Sequence, residues 1–372
     1  MSATVSSRRL GLLGLELTEL GALVDRLGER RFHALQIYRW IYARRAISFD
    51  QMTDLPVALR RRLADHCSLD RPRVVSVQES ADGTRKYLLH PAKGSTRGED
   101  GVEAVFMPEP RRATLCISPQ IGCALDCRFC LTAQLGLVRN LPAGDIVGQA
   151  LALLEDNAGR IQGRPVNIVM MGMGEALHNY DQAVAAVRLL ADARGVGIPA
   201  RRITLSTAGM APGIRRLAAE PVRPRLAVSL NATTDEVRSR IMPINRKYPL
   251  DHLLEACRAW PLGPRERLTF EYVLLGGVND SPEDPRRLAV LMRRHALRAK
   301  VNLIPFNPGG GLSFREPAPG VSERFRSALV ALGVPASIRK NRGRDISAAC
   351  GQLALVEADH AGGDGTPDPV AL

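Results

Sequence analysis

No stretch of this 372-residue sequence is apolar and charge-free for long enough to cross a bilayer. The N-terminal Met1–Leu17 segment carries Arg8 and Arg9 but has no apolar core followed by a small-residue cleavage site, so no secretory signal is expected. Acidic residues are scarce relative to basic ones, 38 against 51. The resulting net charge of +13 favours a polyanionic partner, although a host that uses arginine freely would give the same excess. The seven cysteines are an odd number, which argues against a secreted disulfide framework and for a reducing, cytoplasmic setting. A second Cys-x-x-Cys pair, which a structural zinc site would need, is also missing.

What is present is the run Cys123-Ala-Leu-Asp-Cys127-Arg-Phe-Cys130. Three thiolates on one short loop suit three corners of a four-iron cluster, leaving the fourth iron open to bind a small molecule and hand it an electron. A zinc site or a set of inert buried thiols is the alternative for the same residues. Cys67, Cys116, Cys257 and Cys350 stand alone.

Residues 1–95 read as a small, mostly helical accessory domain, with helical spacing over Leu12–Leu27 and Phe32–Arg45. A third helix is expected to start at Asp54-Leu-Pro56, with Asp54 as its cap. Arginines such as Arg39, Arg44 and Arg60 crowd this region, either as solvated helix faces or as a phosphate-gripping surface. Strands and turns follow from Arg73, with a hairpin turn at Ala81-Asp-Gly-Thr84. Residues 96–355 read as the second domain, and from about residue 113 the pattern alternates strand and helix, with strands expected at Thr114–Ser118, Val166–Met171, Ile203–Ser206, Arg225–Leu230, Leu268–Leu275 and Lys300–Pro305. Such alternation indicates an α/β fold with a parallel sheet, open or barrel-shaped, whose chemistry gathers at the C-terminal strand ends. The cysteine loop follows the first of these strands. Residues 356–372 read as a disordered tail.

Small polar groups recur at the other strand tips. Gly172-Met-Gly174-Glu175 follows the second strand, Ser206 closes the third, Ser229-Leu230-Asn231 closes the fourth, and Asn307 follows a later one. Glycines there let a ligand approach the backbone, and Glu175 could accept hydrogen bonds from an ammonium group. Serine and asparagine also favour ordinary strand-end turns. Cys350, flanked by small residues, is open to close approach by a substrate, and a thiolate is a natural methyl acceptor.

The cysteine loop resembles the signature of radical S-adenosylmethionine (SAM) enzymes. Gln120–Ala133 and Arg342-Gly-Arg-Asp-Ile-Ser-Ala-Ala-Cys350-Gly-Gln-Leu353, with Gly-Met-Gly-Glu at 172–175, Met242-Pro-Ile-Asn245 and Asn302–Asn307, closely resemble the RlmN/Cfr family of radical SAM RNA methyltransferases, from the N-terminal helical region to Leu353. The resemblance implies a partial (βα)6 TIM-like barrel with a small, mostly helical N-terminal accessory domain that binds RNA. It implies one [4Fe-4S] cluster held by Cys123, Cys127 and Cys130, and two SAM molecules per turnover, bound by Gly174, Glu175, Ser206, Ser229, Leu230, Asn231 and Asn307. One SAM methylates Cys350; the other is split at the cluster, and its radical takes a hydrogen atom from that methyl group, which then adds to an adenine. Glu103 matches the proton acceptor, and Cys116 matches the cysteine that resolves the protein–RNA adduct through a transient disulfide with Cys350. The implied substrates are C2 of an adenine in 23S rRNA and the adenine 3′ of the anticodon in tRNA, with a flavodoxin-type reductase as electron donor, no membrane partner and a monomeric enzyme. Arg342-Gly343 ahead of Asp345-Ile346 favours this branch over the Cfr-type enzymes that methylate C8. A non-catalytic metal-containing RNA-binding protein is the rival from another class. Two positions depart from the family pattern: Ala176, where proline is frequent, and Asn231, where some members carry histidine.

Overall fold

The computed structural model describes residues 9–92 and 101–355; the expected tail at 356–372 and most of the loop at 92–95 lie outside the described residues. The helices are α1 (Leu17–Arg26), α2 (Phe32–Tyr42), α3 (Val57–His66), α4 (Leu131–Gln134), α5 (Ala143–Asp156), α6 (Ala158–Ile161), α7 (Tyr180–Ala191), α8 (Ala211–Ala218), α9 (Asp235–Ile241), α10 (Leu250–Arg258), α11 (Asp284–Arg294) and α12 (Val321–Ala331). The main sheet contains β1 (Arg73–Glu79), β2 (Arg85–His90), β3 (Val102–Glu109), β4 (Arg112–Cys116), β5 (Val166–Met170), β6 (Ile203–Thr207), β7 (Arg225–Ser229), β8 (Leu268–Leu274), β9 (Ala299–Pro305) and β10 (Ala336–Ile338).

These ten strands lie side by side in chain order. β1 to β4 pair antiparallel, and β4 to β10 pair parallel through crossovers. The edges β1 and β10 do not pair with each other, so the barrel is partial. The six expected strands are all present. The seventh parallel strand, β10, has only three residues, too short to carry a legible alternation. The hairpin turn is made as expected: Gly83 takes a φ of +79°, and Asp82 Oδ1 accepts from Thr84 N–H at 2.9 Å.

The sheet already includes β1 and β2, which precede the expected boundary, and the helical module proper is α1–α3. The α3 cap differs from expectation. Asp54 accepts from Trp40 Nε1 at 2.5 Å and pairs with Arg44, so Pro56 takes the N-cap position without a side-chain cap. The module docks closely on the barrel. A Cβ on Gly14 would lie 2.6 Å from Gly144 N, so two backbones meet where only glycines fit. Tyr42 Oη accepts from Gly14 N–H and donates to Leu15 O, each at 2.9 Å, and Glu16 pairs with Arg188 on α7 at 2.7 Å. One apolar core continues from α1–α3 into the barrel, including Ile37, Tyr42, Leu151 and Val187.

Candidate active site

The loop after β4 leads through the short strand Gln120–Gly122 into the cysteine run, and α4 begins directly after Cys130. Cys123, Cys127 and Cys130 line one cavity at the C-terminal mouth of the barrel, together with Cys116, Gly174, Glu175, Ser206, Ser229, Asn231, Asn307 and Cys350. Residues separated by more than two hundred positions therefore share one space. Burial pushes the Cys123 thiol up to about 11 and raises Cys127 and Cys130 as well, with neighbouring cysteines adding to the shift at Cys123 and Cys127. A metal centre taking these ligands must displace their protons. No three His, Cys, Asp or Glu side chains among the described residues converge tightly enough to hold a single ion. Three all-sulfur donors facing a common cavity fit three corners of a four-iron cluster.

The segment carrying Cys350 is fastened at three places. Leu131 N–H donates to Gly351 O at 2.8 Å and Thr132 Oγ1 to Leu353 O at 2.6 Å, tying it to the cysteine loop. Asp345 accepts from Ser80 Oγ at 2.6 Å and Ala81 N–H at 3.2 Å, tying it to the β1–β2 hairpin. The Glu103 carboxylate accepts from the backbone N–H groups of Ala354 at 2.8 Å and Leu355 at 3.2 Å. Glu103 is itself buried and paired with Lys86 at 3.2 Å. It does not line the cavity in this state.

The strand-tip groups divide into those that face the cavity freely and those with structural partners. At Gly172 a Cβ would come 2.3 Å from Ser118 Oγ, and at Gly174, with φ of +96°, 2.4 Å from Gln120 Cβ. The loop Gly172–Glu175 therefore packs against the start of the cysteine loop as only glycine allows. The Glu175 carboxylate accepts from Leu177 N–H at 3.0 Å and Ala208 N–H at 2.7 Å, and burial raises its pKa despite those bonds. Asn231, at φ of +58°, donates to Met242 Sδ and accepts from Val273 N–H at 2.8 Å, so its side chain is committed to the fold. Leu230 is fully buried with its side chain in the core, which leaves only its backbone toward the strand tip. All seven cysteines are free thiols. The expected Cys116–Cys350 disulfide is thus not formed here, in keeping with a bond that would exist only during turnover.

Two arginines escaped the sequence reading. Arg238 on α9 is fully buried, and its guanidinium donates to Leu230 O, Asn245 Oδ1, Ala208 O and Ser229 O at 2.6–3.2 Å. It gathers the chain after β6 and β7, and its charge lies near the Cys127 thiol. Burial lowers its pKa to about 10, which leaves it protonated at neutral pH. Arg339, just after β10, lines the cavity; the neighbouring Cys350, then Glu271 and Cys116, hold it firmly protonated against burial.

Comparison with known proteins gives two family models: the ribosomal RNA large subunit methyltransferase N-terminal domain over residues 10–69, and the radical SAM superfamily over residues 117–289. A dual-specificity RNA methyltransferase RlmN from Anaeromyxobacter dehalogenans is 49% identical over 360 residues, covering 96% of this chain and 93% of its own. The chain belongs to the RlmN family. Another RlmN, from Bradyrhizobium diazoefficiens, is 46% identical over 92% of this chain and 88% of its own. Among solved structures, a radical SAM methyltransferase from Sphaerobacter thermophilus matches with a TM-score of 0.85 and 44% identity, covering 92% of this chain and 98% of that one. As an RlmN-family radical SAM enzyme, the protein works with a [4Fe-4S] cluster and SAM. Its N-terminal family match coincides with the α1–α3 module.

Proposed function

We propose that this RlmN-family enzyme methylates C2 of an adenine in 23S rRNA and of the adenine 3′ of the anticodon in tRNA. The observation that carries this reading is the fastening of the Cys350 segment to the three-cysteine loop, with Cys116 in the same cavity. A plain iron–sulfur or zinc RNA-binding protein has no use for a lone thiol held there. The relatives' shared designation as dual-specificity RNA methyltransferases supports the same substrates.

Cys123, Cys127 and Cys130 would hold the cluster, and when bound it supplies, with SAM, the radical that takes a hydrogen atom from a methyl group. The remaining steps fall to the chain itself. Cys350 accepts the methyl group through its sulfur, with the Arg339 guanidinium lining the same cavity. The Gly172–Glu175 loop, Ser206, Ser229, Asn307 and the backbone at Asn231 orient the SAM methionine and ribose. Burial pushes the Cys116 thiol up to about 12, with Cys350 adding to the shift and Arg339 opposing it. Cys116 is thus held as the thiol in the resting site, and in resolving the adduct its sulfur bonds to that of Cys350 as the Cys350 bond to the transferred carbon breaks. Glu103 takes the adenine C2 proton once Ala354 and Leu355 release its carboxylate. Residues 10–69 hold RNA, a flavodoxin-type reductase supplies electrons, and the enzyme acts as a cytoplasmic monomer. The adenine is presented unstacked, as base-modifying enzymes require.

Intact-mass analysis of anaerobically purified protein tests the reading. Wild type is expected to carry one methyl group on Cys350, and Cys116→Ala to accumulate covalently attached RNA. Absence of both, or an rRNA product methylated only at C8, would overturn it.

A further inference from the structure

The barrel has a second mouth. Its N-terminal end opens into a cavity of about 1920 Å³ that runs up the barrel to Met171, Glu271 and Arg339, which also line the opening that holds the cysteines. The strands enter this mouth on basic residues: Arg112 starts β4, Arg202 precedes Ile203 of β6, Arg225 starts β7, Arg267 precedes Leu268 of β8, and Lys300 is second in β9. All five line the cavity, as do Arg201 and Arg265. These like charges form a ring around the strand starts, an unfavourable arrangement in the absence of counter-charge.

Of the ring's basic residues, Arg112 alone has an ion-pair partner among the described residues, Glu109. Of the acids at this mouth, Glu16 pairs with Arg188, Glu109 with Arg112 and Asp192 with Arg194. Glu266 accepts from Gly263 N–H, and Glu271 from Asn302 Nδ2. Arg201, Arg202, Arg225, Arg265 and Arg267 make no ion pair among the described residues. Glu16 belongs to the N-terminal segment that leads into α1, so the ring continues into the helical module across the Glu16–Arg188 pair.

We infer that this N-terminal mouth is a second RNA-binding surface, which grips backbone phosphates of a large folded RNA while its target adenine occupies the catalytic mouth. The inference rests on the reading that RNA is the substrate. β8 spans seven residues, so the two mouths lie about 20 Å apart at ~3.3 Å per residue. A short stem-loop whose loop enters the catalytic mouth extends away from the protein and cannot reach the ring. A large rRNA fragment can wrap to it. An acidic reductase is a poorer fit, because it must approach the cysteine loop at the other end. Phosphate contacts of this kind contribute affinity without sequence preference and are recognised by their salt dependence.

The test uses cluster-reconstituted enzyme and two RNAs, an rRNA fragment of domain size and an anticodon stem-loop. The triple variant Arg202→Glu/Arg225→Glu/Arg267→Glu is expected to bind the rRNA fragment at least tenfold more weakly at physiological salt. Its slope of log affinity against log salt should fall by about three, while stem-loop affinity and methylation stay as in wild type. Unchanged affinity and slope on the long RNA, equal losses on both RNAs, or slowed reduction by the electron donor with RNA binding intact would each overturn the inference. Should the triple variant misfold, photocross-linking of wild type to the rRNA fragment gives the same decision. Cross-links in the peptides around 201–225 and 265–267 support the ring, and cross-links confined to the helical module and the catalytic mouth refute it. A wild type that methylates neither RNA would sink the proposed function while leaving these binding measurements readable.

Discussion

At the scale of single residues, Arg238 does most to shape the catalytic mouth. A cation taken fully out of water is tolerated only when its donors are satisfied, and here four acceptors from the chain after β6, β7 and α9 close around it. Arg238→Met keeps much of the volume but strands those acceptors, and is expected to destabilise the fold by about 3–5 kcal/mol. Denaturant unfolding would measure this, and a loss below 1 kcal/mol would show that the carbonyls find other partners. No local pattern marks this residue. In Asp235-Glu-Val-Arg238-Ser-Arg240-Ile it looks like Arg240, which is exposed. Burial set by a distant strand tip is not written in helix periodicity. The cysteine run was legible for the opposite reason, since its ligands are local and their spacing is the site. Glu103 lies between these cases: its place in the chain was identifiable by resemblance, but its bonds to Ala354 and Leu355 span some 250 positions.

At the scale of elements, the site depends on how the turn before Cys350 is pinned to the β1–β2 hairpin. Asp345 carries that link, and its hydrogen bond to Ser80 is the first cause holding its carboxyl below the usual range. A carboxyl with a lowered folded pKa contributes stability above its unfolded value and loses it as pH falls through the folded one, so the link is complete at neutral pH and released in acid. Asp345→Ala is expected to speed amide exchange across 344–353 several-fold at neutral pH and to lower methylation while leaving iron content unchanged. Hydrogen-exchange mass spectrometry and iron analysis would check both, and unchanged exchange would remove the hairpin from the account. The strand–helix alternation was readable because apolar runs and turns are local signals. β10 and the capping of α3 were not, since the first is three residues long and the second is decided by Trp40 on α2 and Arg44 just beyond it.

At the scale of the whole molecule, the helical module and the barrel meet through the backbone contact of Gly14 with Gly144. A Cβ at Gly144 would fall 2.3 Å from Leu13 O, where no side-chain adjustment can relieve it. Gly144→Val is expected to cost about 1–3 kcal/mol and to weaken RNA binding while the cluster absorbance persists. Calorimetry and filter binding would measure these, and full RNA affinity in an undocked protein would separate the module from substrate capture. The sheet order has a consequence in time as well as in space. Because β1 to β10 are neighbours in chain order, each strand leaving the ribosome meets a partner already made, and the barrel can be laid down in the direction of synthesis. The three cluster cysteines emerge by residue 130, whereas Cys350 comes 220 residues later (350 − 130). The nascent enzyme therefore lays down its cluster ligands long before Cys350, the thiol that directs the radical to a methyl group.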